Sequence, residues 1–166
     1  MKIDLGCGAR VKEGFIGLDK ILGHDIEKSG IPFKEVDEIY SFHFLEHIND
    51  LPFVMEEIYK ALKPNGVVEI IVPHFSNIGA FHWTHKLFFN IRGFDFVESN
   101  HPHHFYCSNI DFIIFHKSIE FSEKREYSPT IIEKLINYKK GTTRFYEQYL
   151  SNWFRAYQIR IIMRKI

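Results

Sequence analysis

Two glycines, an acidic residue and a spread of histidines are the groups in this 166-residue chain with the most chemistry to offer. "DLGCG" sets Gly6 and Gly8 on either side of Cys7, and Asp19 follows eleven residues after Gly8. Glycines let backbone N–H groups approach an anionic group, and an acid ending the next strand can accept from both hydroxyls of a ribose. That is the footprint of a nucleoside-bearing ligand. A dinucleotide fingerprint needs three glycines, about 20 residues before its acid, and a helix N-terminus for the pyrophosphate. The intervening "ARVKEG" leaves room for little more than a turn, so a ligand without phosphate suits the loop better. Taken alone, "GCG" reads equally well as an ordinary tight turn.

Histidine supplies the other candidate chemistry. His43 and His74 each end a predicted strand, and His85 follows in "THK"; imidazole has the near-neutral pKa of a base for a hydroxyl or protonated amine. The competing reading of each is a hydrogen-bonded histidine that transfers no proton. Glu46 and His47 are read as orienting the loop after the His43 strand, with Leu45 and Ile48 in the core. His82, His85, His101, His103, His104 and Cys107 together hold enough imidazole and thiol for a tetrahedral zinc. With no CxxC, no HExxH and no acidic partner at fixed spacing, the sequence nevertheless assigns no metal ligands.

The elements that must position these groups follow from hydrophobic periodicity. "KIDL", "GFIGLD", "VDEIYSFHFL" and "VVEIIVP" read as strands, the last a continuous apolar run suited to the middle of a parallel sheet. "NDLPFVMEEIYKALK" reads as an amphipathic helix capped by Asn49 or Asp50 and stopped by Pro64 and Gly66. "THKLFFNIRGFDFVES" is expected to be helical with a break at Gly93. "NIDFIIFHKSIEF" and "AYQIRIIMRKI" read as a final antiparallel pair, the second turning its Arg residues to solvent. Two short helices are expected between them, in "SPTIIEKLINYKK" and "RFYEQYLSNWF". The whole is read as a single α/β domain spanning 1–166. Residues 75–106 form a lid or substrate segment, in which Phe75, Phe81, Trp83, Phe88, Phe89, Phe105 and Tyr106 either line an acceptor pocket or pack an irregular insertion.

The order "DLGCG", "GFIGLD", "HDIEKSGIPF", "DEIYSFHFLEHI", "EIYKALKPNGVVEIIVP" resembles the class I S-adenosylmethionine-dependent methyltransferases, in particular their type-11 group, throughout residues 3–73. The resemblance implies a doubly wound, Rossmann-like, mostly parallel sheet of about seven strands whose last strand is antiparallel. It also implies S-adenosyl-L-methionine as cofactor and a small-molecule acceptor. Carried over by position, Asp4, Gly6, Cys7 and Gly8 belong to the methionine end of the site, and Asp19 with Lys20 to the ribose. Asp25 and Ile26 lie beside the adenine, and Phe42 and His43 form the wall beneath. The chain departs from the family pattern in its shortened first helix, which leaves one flank of the sheet thinly covered. "FHWTHK" also replaces an Asp-Pro-x-His-like segment. A cofactor-binding module without catalysis and a metal-dependent hydrolase built on the histidine cluster are the alternatives.

Composition bounds the partners. Net charge is zero, with ten basic and fifteen acidic residues in 1–100 against eleven and six in 101–166, so no overall polyanion footprint exists and nucleic acid is not expected. No apolar run is long enough for a membrane span, and nothing at the N-terminus reads as a secretion signal. Two cysteines give no disulfide framework, which suits the cytoplasm. The density of aromatic residues and the thin flank make self-association into a homo-oligomer an expectation.

Overall fold

The computed structural model describes residues 1–107, 109–123 and 129–166, with all their side chains except those of Tyr106 and Cys107. Those two side chains, invoked above for the lid and for the zinc reading, therefore lie outside the described residues.

Six strands form one sheet: β1 (Lys2–Leu5), β2 (Ile16–Leu18), β3 (Val36–Phe42), β4 (Leu62–Pro73), β5 (Phe112–Glu120) and β6 (Gln158–Lys165). Their order is β2-β1-β3-β4-β6-β5. The pairs β1–β2, β1–β3 and β3–β4 are parallel, and β6 runs antiparallel to both β4 and β5. The fold class and the antiparallel last strand are as expected, but the sheet has six strands among the described residues rather than about seven. The hydrophobic runs had supplied six; the seventh came from the resemblance alone. After β2 the chain makes a single helical turn, α1 (Ile26–Ser29), capped by Gly30 at a positive φ of 66°. Gly30 and Pro32 deny the following residues a regular ladder.

Helix α2 (Leu51–Ala61) takes Asp50 as its N-cap, the carboxylate accepting from the Phe53 amide at 3.0 Å. Its Val54, Met55, Ile58 and Ala61 are buried at helical spacing. Its last turn is closed by Lys165, whose ammonium donates to the carbonyls of Tyr59 and Leu62, both at 2.7 Å. The "LKPNG" segment belongs to β4 but carries a register shift and a left-handed Asn65, so it is a bulge at the strand's entry. Two segments differ from expectation. Residues 84–99 are not a broken helix: they contain a bridge between His74 and Phe89 and a 3₁₀ turn at Asp95–Val97. The two C-terminal helices, α3 (Ile131–Ile136) and α4 (Lys140–Phe145), occupy the first predicted stretch and the start of the second. The second then continues as a π turn, Tyr146–Leu150.

Register divides the sheet into two faces. Ile3, Ile39, Val68, Met163 and their neighbours form the apolar face, all fully buried. Each such side chain contributes roughly 1.5–3 kcal/mol by leaving water. The opposite face is polar: Asp4, Tyr40 and Glu69 stand in one row, with Arg160, Gln158 and Glu120 beyond. This is where a full first helix would lie. The loop between β1 and β2 covers it instead, with the Lys12 ammonium 3.7 Å from the Tyr40 ring centroid and Phe15 meeting Tyr40 edge-on. Arg160 does not face solvent as the alternating pattern suggested. It is 0 % exposed, donates from Nε to Glu120 Oε1 at 2.7 Å, and pairs through Nη1 with Glu69.

Removing one partner of a buried pair strands the others' charge. Arg160→Ala is therefore expected to lower unfolding stability by ~3–5 kcal/mol. Lys12→Ala, which loses a cation–π contact at the edge of the same cluster, should cost only ~1 kcal/mol. Urea unfolding of the two variants checks the ordering, and equal losses would contradict a buried role for Arg160.

Candidate functional site

In a sheet whose order reverses beside β1, ligands bind beyond the carboxyl ends of the strands at that point. A cleft of about 270 Å³ lies there. Gly6 and Gly8 after β1, Asp19 and Lys20 after β2, and Asp25 and Ile26 at the head of α1 line it from one side. His43, Phe44, His47 and Ile48, after β3, line it from the other.

The loop is closed by its own acid. Asp19 accepts from the Gly8 amide through Oδ2 and from the Ile21 amide through Oδ1, both at 2.9 Å. The Gly6 amide donates to the Leu18 carbonyl at 2.8 Å, so the ends of β1 and β2 are tied twice. Asp4 supports the loop from beneath, accepting from the Lys12 amide at 2.7 Å. Gly6 has φ +71°, and a Cβ there would sit 2.1 Å from the Phe44 ring; Gly8 has φ +57° with open space at the same position. Gly6 is thus demanded by packing and Gly8 by backbone geometry beside the cleft.

Asp25 faces the far end. Its Oδ2 lies 3.5 Å from Lys20 Nζ and 3.6 Å from Lys28 Nζ. Its Oδ1 is buried with no hydrogen-bond partner among the described residues. A buried acceptor without a donor calls for a ligand that brings one. His24, beside it on the cleft wall, bonds through Nε2 to the Gly30 carbonyl at 2.7 Å.

His43 holds a left-handed conformation, φ 50°, unusual outside glycine. Phe42 does not line the cleft but stacks on the His43 ring from behind, centroids 4.3 Å apart. His43 Nε2 is 3.2 Å from Gln158 Oε1, while Gln158 Nε2 donates to Glu120 at 2.6 Å. That second bond turns the amide oxygen toward the imidazole, so Nε2 carries the hydrogen and Nδ1 is the basic nitrogen. Burial lowers the His43 pKa to about 4, partly opposed by the Gln158 bond, and the ring is neutral at pH 7.

The remaining predicted residues stand apart from the cleft. His74 is fully buried, with Nδ1 2.8 Å from Ser76 Oγ and Nε2 3.2 Å from Glu147 Oε1. Glu147 also accepts from the Ile91 amide at 2.7 Å, so His74 sits in a network that fastens the irregular segment to the C-terminal turn. Cys7 turns its thiol toward Gly17, and burial raises its pKa. His85 is half-buried beside His47, ring centroids 4.7 Å apart. Between the strand end and these rings lies Glu46, whose carboxyl burial raises its pKa to about 8. His24, Glu27 and Phe44 are lining residues that sequence reasoning missed, and His47 and Ile48, read there as loop-orienting and core, line the cleft as well. Of the lid aromatics, Phe89 is buried, whereas Phe81, Trp83, Phe88 and Phe105 are exposed.

A family described as a methyltransferase domain matches residues 3–111. None of the curated proteins matches the chain. Among solved structures, an S-adenosylmethionine-dependent methyltransferase from Mesorhizobium loti is 18 % identical, with 99 % of this chain and 90 % of that one covered and a TM-score of 0.54. A chain of the complex between the Haloferax volcanii Trm112 methyltransferase activator and a methyltransferase is 15 % identical, with 99 % and 81 % covered and a TM-score of 0.55. The [4+2]-cyclase SpnF is 14 % identical, with 99 % and 73 % covered and a TM-score of 0.53. At these identities the likeness is one of fold, and the cyclase among the neighbours shows that the fold does not fix the reaction.

Two outcomes follow from this geometry. Gly6→Ala should destabilise the fold more than Gly8→Ala, because only the first adds a clash with Phe44 to the cost of a left-handed backbone, roughly 1–3 kcal/mol; comparable urea midpoints would contradict the packing. Because the pKa of His43 falls from 6.5 to about 4 on folding, stability should be full above 6.5 and decline as the pH drops toward 4. His43→Gln should flatten that decline in urea titrations across the range.

Proposed function

Because the chain belongs to the methyltransferase domain family, we propose that it transfers the methyl group of S-adenosylmethionine to a small-molecule acceptor, with His43 as the base beside the acceptor. The observation that carries the proposal is the cleft at the sheet's reversal, lined by Gly6 and Gly8, by the Asp19 that bonds the Gly8 amide, and by Asp25 and Ile26.

S-adenosylmethionine, when bound, supplies a sulfonium methyl open to in-line displacement and leaves as a neutral thioether. The residues present fit it. The Gly6–Gly8 backbone can approach the methionine carboxylate closely, with Cys7 and Asp4 holding the loop behind. Asp19 keeps oxygen lone pairs for ribose hydroxyls beyond those given to Gly8 and Ile21, and Lys20 flanks it. Asp25 and Ile26 line the end of the cleft proposed for the adenine.

On the other wall, neutral His43, its pKa lowered to about 4, can accept a hydrogen bond through Nδ1 from an acceptor hydroxyl and take its proton as methyl transfer makes that oxygen acidic. The Gln158–Glu120 chain fixes its ring and tautomer, and the Phe42 stack fixes its tilt. Alignment and exclusion of water are the chain's main contributions to a displacement of this kind. Residues 75–106 are proposed as the acceptor-side cover, with His85 reaching back toward His47. The buried position of His74, with both ring nitrogens engaged, favours His43 over it as the base. Among the described residues no helix is long and apolar enough to cross a membrane.

Thermal shift tests the assignment. Asp19→Asn keeps an acceptor for only one of the two capping amides, so it should melt below wild type without ligand, and its ligand response is read as a shift from its own ligand-free melting point. It should lose most of the stabilisation that S-adenosylmethionine and S-adenosylhomocysteine give the native protein. An undiminished shift in this variant would refute the role of Asp19.

A further inference from the structure

The turn after β3 carries Glu46 and His47 and packs against His85 from the segment after β4, a grouping that the methyl-donor site does not explain. Glu46 is 1 % exposed, and neither of its carboxylate oxygens has a hydrogen-bond partner among the described residues. A buried carboxyl in that state is costly unless something binds it. His47 and His85 stand beside it. One ligand atom from each of the three lies within 4.8 Å of the others, a grouping found once among the described residues.

Main-chain bonds hold the three together across some forty residues of sequence. The amides of Lys86 and Leu87 both donate to the Glu46 carbonyl, at 2.7 and 3.2 Å, and Lys86 Nζ donates to Asn49 at 2.8 Å. The segment carrying His85 is thereby fastened to the turn carrying Glu46 and His47. Each imidazole is then oriented by a backbone carbonyl: His47 Nδ1 lies 3.3 Å from the Thr84 oxygen, and His85 Nδ1 lies 3.0 Å from the Ala80 oxygen. A carbonyl only accepts, so both Nδ1 atoms carry hydrogen and both Nε2 atoms keep their lone pairs. Metal-bound histidines are oriented in the same way, through the ring nitrogen that does not touch the metal.

We propose that Glu46, His47 and His85 bind a divalent transition-metal ion of the zinc class at the rim of the methyl-donor cleft. Two imidazoles and one carboxylate are a zinc ligand set with a coordination position left open. Magnesium and calcium, which require mostly oxygen ligands, fit it poorly. The half-buried histidines give an ion a way in, and His47 also lines the cleft, which places the ion next to the donor site. The sequence hides this site because Glu46 and His47 are adjacent while His85 lies in a different segment, a spacing that matches no metal motif.

Titration of zinc into metal-free protein, read by competition with a chromophoric chelator, tests the proposal. Wild type should take up one tight equivalent. Glu46→Gln and His85→Ala should each weaken it about 100-fold, while a His101→Ala/His103→Ala double variant, altering the other histidine cluster, should bind as wild type does. Cobalt in place of zinc should give visible ligand-field bands that His85→Ala lacks. Glu46→Gln keeps the side-chain volume and removes a buried ionisable group, so its metal-free urea midpoint should not fall, and a lost zinc site then reports on ligation. No tight equivalent in wild type, or wild-type affinity in Glu46→Gln or in His85→Ala, would overturn the proposal. Stabilisation by S-adenosylhomocysteine in the presence of EDTA is a separate readout, so failure of the metal site and failure of the methyl-donor reading are distinguishable.

Discussion

The hydrogen bond from the Gly8 amide to the Asp19 carboxylate is the constraint from which the cleft is built. It joins the ends of two parallel strands that no full helix separates, and it sets the glycine loop in a conformation that only glycine adopts without strain. The loop then dictates its opposite wall. With no Cβ at Gly6, the Phe44 ring packs onto the loop, and His43 takes up its left-handed turn one residue earlier. The chain next enters the Leu45–His47 turn, whose Glu46 carbonyl receives the amides of Lys86 and Leu87. A single short loop thus determines where β3 turns and where the irregular segment after β4 is fastened.

The other consequence of the short loop is on the sheet's polar face. A full first helix would bring apolar side chains to cover it. Here Lys12 and Phe15 cover Tyr40, and a buried chain of charge runs from Glu69 through Arg160 and Glu120 to Gln158 and His43. Such a chain contributes less to stability than its number of contacts suggests, because every member gives up hydration. It does impose orientation. Gln158 reaches His43 with its oxygen only because its nitrogen is held by Glu120, so the tautomer of the cleft histidine is settled two residues away, at the Arg160–Glu120 pair. Fold and site meet at this point.

Much of this was legible in the sequence, for identifiable reasons. Strands announced by apolar runs formed where expected, and Asp50 capped α2 because its carboxylate stands at the first helical turn. Gly6, Gly8, Asp19, Lys20 and His43 come together because each lies at a strand end or just beyond one, a position that sequence order reveals, whereas Asp25 and Ile26, at the head of α1, are expected there from the family resemblance alone. Arg160 was misread because period-two alternation says which side chains share a face but not what covers that face. The stretch 84–99 was misread as helical because its apolar residues pack singly against the core without a helical ladder. His24 and Phe44 escaped notice since their positions depend on backbone angles at neighbouring residues. The Glu46–His47–His85 grouping depends on two main-chain hydrogen bonds between distant segments, which no spacing rule encodes.

Calorimetric titration of S-adenosylhomocysteine into the protein, with NAD as the comparison ligand, tests the central claim most directly, since it reads the cleft without requiring knowledge of the acceptor. Saturable binding of one S-adenosylhomocysteine per chain with no heat from NAD is the predicted result. Absence of binding by S-adenosylhomocysteine, or equal binding of NAD, would contradict the account.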